Sequence, residues 1–215
     1  NEVPVQDPNR IDGADGVELI RGIEARVIMF GFSQDKDTLF GGPQAGAPNP
    51  FRDVRVRQAV AHAINVPAIL QTIMRGSAEP AAQLVSPAMS GYSESLSERP
   101  AFDVDKARAL LAEAGYADGF SFLLKCPNDR YINDESVCQA AVAMLAQIGI
   151  EAVLDAVPVR TYWPILRADE YDMYLLGWSP GTFDAEHPFR FLVHTPQDNI
   201  GTWNFGGYSN ARVDE

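Results

Sequence analysis

Few residue patterns in this chain are typical of catalysis or of tight metal binding. The three histidines, His62, His187 and His194, lie in no HExxH pattern, and the two cysteines lie in no CxxC pattern, so no closed zinc site is predicted. No serine lies in a GxSxG turn, and the glycine-rich stretch 41–46 has no P-loop lysine. Catalysis would also require an acid–base pair with perturbed pKa values in a cleft, and the sequence shows no convincing pair. A loose group of acids and imidazoles remains near the C-terminus: Asp184, Glu186, His187, His194 and Asp198.

Residues 126–133 and 179–184 are better candidates for a site, because each loop follows a predicted strand. Ligands of open α/β sheets bind beyond the carboxyl ends of the strands. In the first loop, Arg130 could clamp a carboxylate with two hydrogen bonds, and Tyr131 could stack on a ligand. The alternative is a solvated loop that is held by pairing of Asp129 with Arg130.

The elements that would position these loops alternate between helix and strand from residue 103 onward. Strands are predicted over residues 120–125, 150–157 and 171–178, where apolar residues alternate or run together. The intervening helices are predicted from apolar residues at helical spacing and from capping residues: one begins at Asp103 or Asp105, one at Asn133 or Asp134, and one covers residues 160–168. This order predicts an α/β fold, with a mixed, mostly parallel sheet flanked by helices.

Upstream of this alternation, the sequence predicts a strand over residues 25–32 and an amphipathic helix pair over residues 53–75. Asp53 is expected to cap the first helix, and Asn65 is expected to end it in a left-handed conformation. Pro67 lies in the first turn of the second helix, where its missing amide hydrogen is not needed.

Three further features leave alternatives open. Tyr162 and Trp163 lie on a predicted helix, where aromatic residues are more often core than pocket. Residues 77–100 predict a long irregular segment that is either functional or wrapped against the body of the protein. Cys126 and Cys138 are either two buried thiols or a disulfide, and the disulfide would stabilise the fold by roughly 3 kcal/mol on the chain-entropy model.

Size and charge restrict the function further. With 215 residues, of which 46% are hydrophobic, the chain can form one large domain or two small ones. The net charge of −12 and the lack of a Lys/Arg cluster exclude a nucleic-acid binder. No apolar run is long enough to span a bilayer, and no signal peptide is present. Because the chain begins and ends abruptly, we expect it to be a fragment of a longer protein.

Several blocks of the sequence resemble one family in the order in which that family has them. The helix pair at residues 51–76, FRDVRVRQAVAHAINVPAILQTIMRG, resembles a signature of the family 5 periplasmic solute-binding proteins. These proteins are the peptide, dipeptide and nickel receptors of bacterial ABC importers. Further blocks that are similar to the family lie at residues 102–120, 139–158, 171–192 and 204–215.

The resemblance implies a two-lobed receptor that closes around its ligand. Residues 41–215 are then the second ligand-binding lobe, and residues 1–40 are a crossover segment and entering strand from a first lobe that is absent. The whole protein would capture a small solute, a peptide or another small polar compound, and deliver it to membrane permease subunits without catalysis or a cofactor. A periplasmic or lipid-anchored extracellular location follows, and this oxidising compartment favours the Cys126–Cys138 disulfide.

The resemblance also places the ligand at the Gly-Trp strand end. Trp178 would line the pocket, although it could instead only plug the end of the sheet. Family members that bind peptides usually carry an aspartate three residues after this tryptophan, and this chain has Gly181 there. Either Asp184 replaces that carboxylate, or the ligand has no amine to match it. The predicted ligand residues are Trp178, Ser179, Pro180, Gly181, Thr182, Asp184, Arg130, Tyr131 and Tyr162.

Other functions remain as alternatives. Because the family includes nickel receptors, a metal or metal chelate is an alternative ligand, for which the acid and imidazole group near the C-terminus is the candidate. A hydrolase-type enzyme domain is a less favoured alternative, and a sensor domain with the same fold cannot be separated from a transport receptor by sequence.

Overall fold

The computed structural model describes residues 5, 7–12 and 14–215. Its sheet has four strands: β1 (Val27–Phe32), β2 (Phe120–Pro127), β3 (Ile150–Val157) and β4 (Met173–Trp178). The α-helices are α1 (Pro8–Asp12), α2 (Val54–Ala63), α3 (Val66–Thr72), α4 (Val104–Glu113), α5 (Asp134–Ala146), α6 (Val159–Arg167), α7 (Glu186–Pro188) and α8 (Ala211–Asp214). Short 3₁₀ helices cover Pro50–Arg52 and Glu94–Leu96, and a π-helical turn covers Phe189–Val193. Among the described residues, no helix has the length and apolar character required to cross a membrane.

The strand order is β1-β4-β2-β3, and the predicted mixed, mostly parallel sheet is confirmed. Strand β2 runs parallel to β3 along its whole length and parallel to β4, whereas β1 is antiparallel to β4. The β2–β4 ladder has only two pairs, Leu124 with Met173 and Lys125 with Tyr174. Beyond Tyr174, the carboxyl half of β4 therefore separates from β2 while it remains paired with β1.

The helix pair α2–α3 forms where predicted, but Asn65 has a different role. Asp53 accepts a hydrogen bond from the Arg55 amide at 2.8 Å and caps α2, as predicted. Asn65 has a φ of −77°, and its side chain accepts from the Ala68 amide at 3.0 Å. It is therefore the N-cap of α3 and not a left-handed end of α2, because a second helix begins at once and its free amides need an acceptor.

The Asp53 cap gives a pH-dependent prediction. Hydrogen bonds from the Arg55 side chain and backbone lower the pKa of Asp53 to about 2. Since this folded-state pKa lies below the usual value, the carboxylate stabilises the fold above about pH 4, and that stabilisation is lost as the pH falls through about 2. We expect Asp53→Asn to lower the free energy of unfolding by about 0.5–1 kcal/mol at pH 7, with the difference shrinking toward pH 2.

Urea denaturation of the wild type and the variant at several pH values measures this difference. The control is Asp105→Asn, whose carboxylate is 98% exposed and lies 3.7 Å from Arg108 in the first turns of α4. A difference for Asp53→Asn that is the same at pH 7 and pH 2.5 would contradict the prediction.

The core has two layers, one on each face of the sheet. Helices α2, α4 and α5 cover one face, where buried residues include Val56, Leu111, Leu124 and Leu145. The other face carries a cluster of buried aromatic and aliphatic side chains: Tyr162, Leu166, Tyr171, Tyr174 and Leu176. Strand β4 contributes to both layers, which explains why its sequence is almost wholly apolar.

Asp172 is an exception within this apolar region. Its carboxylate is buried and accepts three backbone hydrogen bonds, from Phe40 at 2.5 Å, Leu123 at 2.8 Å and Gly41 at 3.3 Å. Burial raises the pKa of Asp172, and the three amides oppose that shift. The residue ties the segment around residue 40 to β2 at the amino-terminal end of β4.

Candidate functional site

The candidate site is formed by two loops, residues 128–133 after β2 and residues 179–184 after β4, which we call the strand-end loops. Because β2 and β4 are parallel, the two loops lie at the same edge of the sheet. The Tyr131 hydroxyl donates to the Gly177 carbonyl at 3.2 Å and joins the first loop to the end of β4, directly before the second loop. A side chain at Gly177 would prevent this contact, since an added Cβ would lie 2.5 Å from the Tyr131 ring.

The first strand-end loop is held on several sides. A disulfide joins Cys126 at the end of β2 to Cys138 in α5. The buried carboxylate of Asp134 accepts from the Arg130 and Tyr131 amides, each at 2.9 Å. Asp129 accepts from the Val159 amide at 2.6 Å, so it caps α6 and the alternative pairing of Asp129 with Arg130 does not hold the loop.

Positive charge lies at this loop. The exposed Arg130 guanidinium is stacked 5.1 Å from the centre of the Tyr131 ring, an arrangement that attracts a cation to the ring face. Burial raises the pKa of Tyr131, and the Gly177 hydrogen bond and the charges of Arg130 and Arg26 oppose this in smaller measure. Tyr131 itself is only 8% exposed, so it acts mainly as a spacer between the first strand-end loop and the end of β4.

The joint between the loops gives a second prediction. Tyr131→Phe removes the hydroxyl that binds the Gly177 carbonyl and keeps the ring. We expect the free energy of unfolding to fall by about 1 kcal/mol, the typical contribution of one such hydrogen bond. Hydrogen exchange should become faster in residues 128–133 and at the carboxyl end of β4 and stay unchanged in α4. Unchanged exchange in both segments would show that the hydroxyl does not hold them together.

Trp178 lies half-buried at the end of β4 within an aromatic cluster. Its ring centre lies 5.4 Å from that of His187, 5.7 Å from Trp203 and 5.9 Å from Phe191. The indole Nε1 donates toward His187 Nδ1 at 3.2 Å. Trp178 is thus packed among these rings and still partly exposed, directly before the second strand-end loop.

The second strand-end loop is held by the irregular segment 77–100. The Ser90 amide donates to the Phe183 carbonyl, and the Ala185 amide donates to the Ser90 carbonyl, both at 2.9 Å. Within the loop Ser179, Gly181 and Thr182 are exposed, and Pro180 is half-buried. Asp184 is exposed too, and its carboxylate accepts from the Glu186 amide at 2.9 Å.

Tyr162, in contrast, lies away from the site surface. It is fully buried, and its hydroxyl donates to the Leu175 carbonyl at 2.7 Å, with the Lys125 carbonyl 3.5 Å away. Burial strongly raises its pKa. The hydroxyl occupies the gap where β2 and β4 separate, which places Tyr162 in the core, and we leave it out of the proposed site.

The sequence did not indicate the contribution of His187 or Ser90 to this site. The sequence groups His187 with nearby acids and His194, but its ring nitrogens face Trp178 and Gly181. His194 lies elsewhere, 3.5 Å from Asp214. Across residues 5, 7–12 and 14–215, no group of three or more His, Cys, Asp or Glu side chains is placed to hold a metal ion. The only earlier signal for His187 was its position shortly after Trp178.

Sequence comparison assigns this arrangement to a family. The model of the bacterial extracellular solute-binding proteins, family 5 Middle, matches residues 1–199. The chain belongs to this family. This family 5 chain is 33% identical over 176 residues to the glutathione-binding protein GsiB of Escherichia coli (strain K12), a match that covers 77% of the chain and 33% of GsiB. The chain thus spans about a third of the length of the curated relatives it matches.

Solved structures show the same fold as this family 5 chain. The periplasmic binding protein DppA from Helicobacter pylori, in complex with the peptide STSA, matches with a TM-score of 0.84 and 20% identity, over 99% of this chain and 39% of DppA. The binding protein AgaA from A. tumefaciens R10, in complex with agropinic acid, matches with a TM-score of 0.80 and 24% identity, over 98% of this chain and 40% of AgaA.

Proposed function

We propose that the chain is the second ligand-binding lobe of the substrate-binding component of an ABC importer. In this proposal residues 41–215 form the lobe, and residues 1–40 enter from a first lobe that is not in this chain. Membership of family 5 and the coverage of about a third of the relatives support the assignment. The complete protein would reside in the periplasm or be lipid-anchored outside the cell, and would deliver its ligand to permease subunits.

One observation supports the choice of site: the Tyr131–Gly177 hydrogen bond holds the first strand-end loop against the end of β4, next to the half-buried Trp178 from which the second loop begins. Trp178 is partly exposed, and a tryptophan ring offers flat apolar area that can bind a ligand with little loss of conformational entropy. Ser179, Pro180 and Thr182 offer hydroxyl and backbone groups next to it. No catalytic step is assigned, because these groups suit capture of a solute and not turnover.

The proposed ligand is a peptide or another small polar solute that carries a carboxylate. Arg130 would bind that carboxylate with its guanidinium fork, since its stacking on Tyr131 leaves the guanidinium edge exposed. Asp184 would accept from a cationic group, where the ligand has one. Glutathione, a peptide and agropinic acid, the compounds named for three of the similar proteins, all carry a carboxylic acid.

Calorimetry on the protein at its full natural length tests this proposal, with glutathione, the peptide STSA and agropinic acid as probes. We expect at least one probe to bind, and Arg130→Gln to weaken that binding about tenfold or more, the effect of losing a charge-assisted pair. The matched control Arg108→Gln removes an exposed arginine from α4 and should leave affinity unchanged. The 215-residue chain alone should bind more weakly, because closure needs both lobes.

Two results would contradict the proposed function. The first is that the full-length protein binds none of the probes and carries no small solute in native mass spectrometry. The second is that it converts a bound probe into a released product.

A further inference from the structure

His187 stands between two hydrogen-bond donors at the second strand-end loop. Its Nδ1 lies 3.2 Å from the indole Nε1 of Trp178, and its Nε2 lies 3.1 Å from the Gly181 amide nitrogen. Its ring also packs against Phe191, with centres 4.9 Å apart. One imidazole therefore faces an N–H group with each of its two nitrogens.

A neutral imidazole cannot accept both of these hydrogen bonds. One ring nitrogen carries the proton and donates, and only the other has a lone pair that can accept. Whichever tautomer is present, one of the two N–H groups faces another N–H group. A ligand oxygen that approaches both N–H groups from the same side would accept from both and remove the conflict.

The Trp178 indole and the Gly181 amide differ in exposure, and this difference decides which of the two N–H groups a ligand can reach together with His187. Trp178 is half-buried among aromatic rings, whereas Gly181 is exposed. If Nδ1 accepts the hydrogen bond from the Trp178 indole, the ring proton is on Nε2. The Nε2–H and the Gly181 N–H are then neighbouring donors on the solvent-exposed side of His187. Gly181 keeps this approach open, since an added Cβ there would lie 2.9 Å from Nε2.

We propose that His187 is a specificity-determining residue, whose Nε2–H and the Gly181 N–H together bind one carboxylate or carbonyl oxygen of the ligand. Ligands that present a hydrogen-bond acceptor next to residue 181 are then preferred over ligands that present an ammonium group there, because an ammonium nitrogen would face two donors. This inference rests on the proposed ligand-binding function and names the chemistry of one end of the ligand.

The first test measures the protein with and without glutathione or the peptide STSA by NMR, with ¹⁵N-labelled histidine. Without ligand, only one of the Trp178 indole and Gly181 amide protons should be protected from exchange, and protection of both would overturn the inference. With ligand, Nε2 of His187 should carry a proton and Nδ1 should accept from the Trp178 indole, and the Gly181 amide resonance should move downfield. A bound state with the proton on Nδ1 would also overturn it.

The second test is His187→Phe, which keeps a ring against Trp178 and Phe191 and removes both nitrogens. We expect the affinity for the bound probe to fall about tenfold. The matched control is His194→Phe, whose imidazole lies near Asp214 and away from the strand-end loops, and it should leave affinity unchanged. Wild-type affinity in His187→Phe overturns this inference alone. A wild type that binds none of glutathione, STSA and agropinic acid, and that carries no small solute, overturns the proposed function and, with it, the ligand role of His187.

Discussion

Replacement of Asp172 by alanine is expected to lower the free energy of unfolding by about 3–5 kcal/mol. The carboxylate is 2% exposed and accepts from the amides of Phe40, Gly41 and Leu123. Each buried N–H group that loses its acceptor costs about 1–3 kcal/mol, and the partial exposure of the segment around residue 40 keeps the sum toward the lower end. Urea denaturation followed by circular dichroism measures the change.

Two companion variants separate the acceptor from other effects of the substitution. Asp172→Asn retains one acceptor oxygen and is expected to lose about half as much stability as Asp172→Ala. Asp37→Ala removes a carboxylate that is 85% exposed, and should change stability by less than about 1 kcal/mol. Since Asp172 lies at the opposite end of β4 from the strand-end loops, the folded fraction of Asp172→Asn should keep its ligand affinity. A loss for Asp172→Ala no larger than that of Asp37→Ala would refute this account.

Removal of the disulfide is expected to lower the free energy of unfolding by about 3 kcal/mol. The Cys126–Cys138 bond closes a short ring that contains the first strand-end loop, and opening it returns conformational entropy to the unfolded chain. The double variant Cys126→Ala/Cys138→Ala suits the test, because both side chains are fully buried and serine would bury hydroxyl groups.

Comparison of the double variant with the wild type, each with and without reductant, isolates the bond itself. Reductant should destabilise the wild type to near the level of the variant and leave the variant unchanged. Hydrogen exchange should become faster in residues 128–133 but not in residues 179–184, which are held by Ser90 and have no covalent link to α5. Equal stability of the oxidised wild type and the double variant would show that the disulfide adds no stability, and that the hydrogen bonds of Asp134 are sufficient to hold the loop.

Much of the fold follows from local rules that act within a few residues. The Asp53 cap, the apolar stripe of α2 and the position of strand β2 are set by neighbours in sequence, and they form as predicted, although β2 is buried on both faces. Asn65 shows where such rules compete, because the same side chain suits a left-handed helix end and an N-cap. The adjoining helix decided between them, since α3 supplies amides that need an acceptor.

The site was less predictable because its contacts join distant parts of the chain. The strand-end rule placed both loops correctly at one edge, but no local pattern indicated that Tyr131 would reach Gly177 or that Ser90 would hold residue 183. The same holds for Tyr162, because no pattern around it in the sequence indicates that its hydroxyl lies between two strands. The antiparallel pairing of β1 depends on the direction in which the chain enters the sheet, which composition does not encode.

The separation of β2 from β4 has a consequence for how binding preferences diversify. Past the two-pair ladder, the strand ends are bridged by the phenol rings of Tyr162 and Tyr131 and not by backbone hydrogen bonds. The spacing between the ends of β2 and β4 therefore depends on side chains and not on a continuous backbone ladder. Since Tyr162 is part of the core, position 131 is the one at which a substitution is expected to change this spacing with the smaller loss of core packing. A mutational library at position 131 is accordingly a compact way to alter which solutes fit.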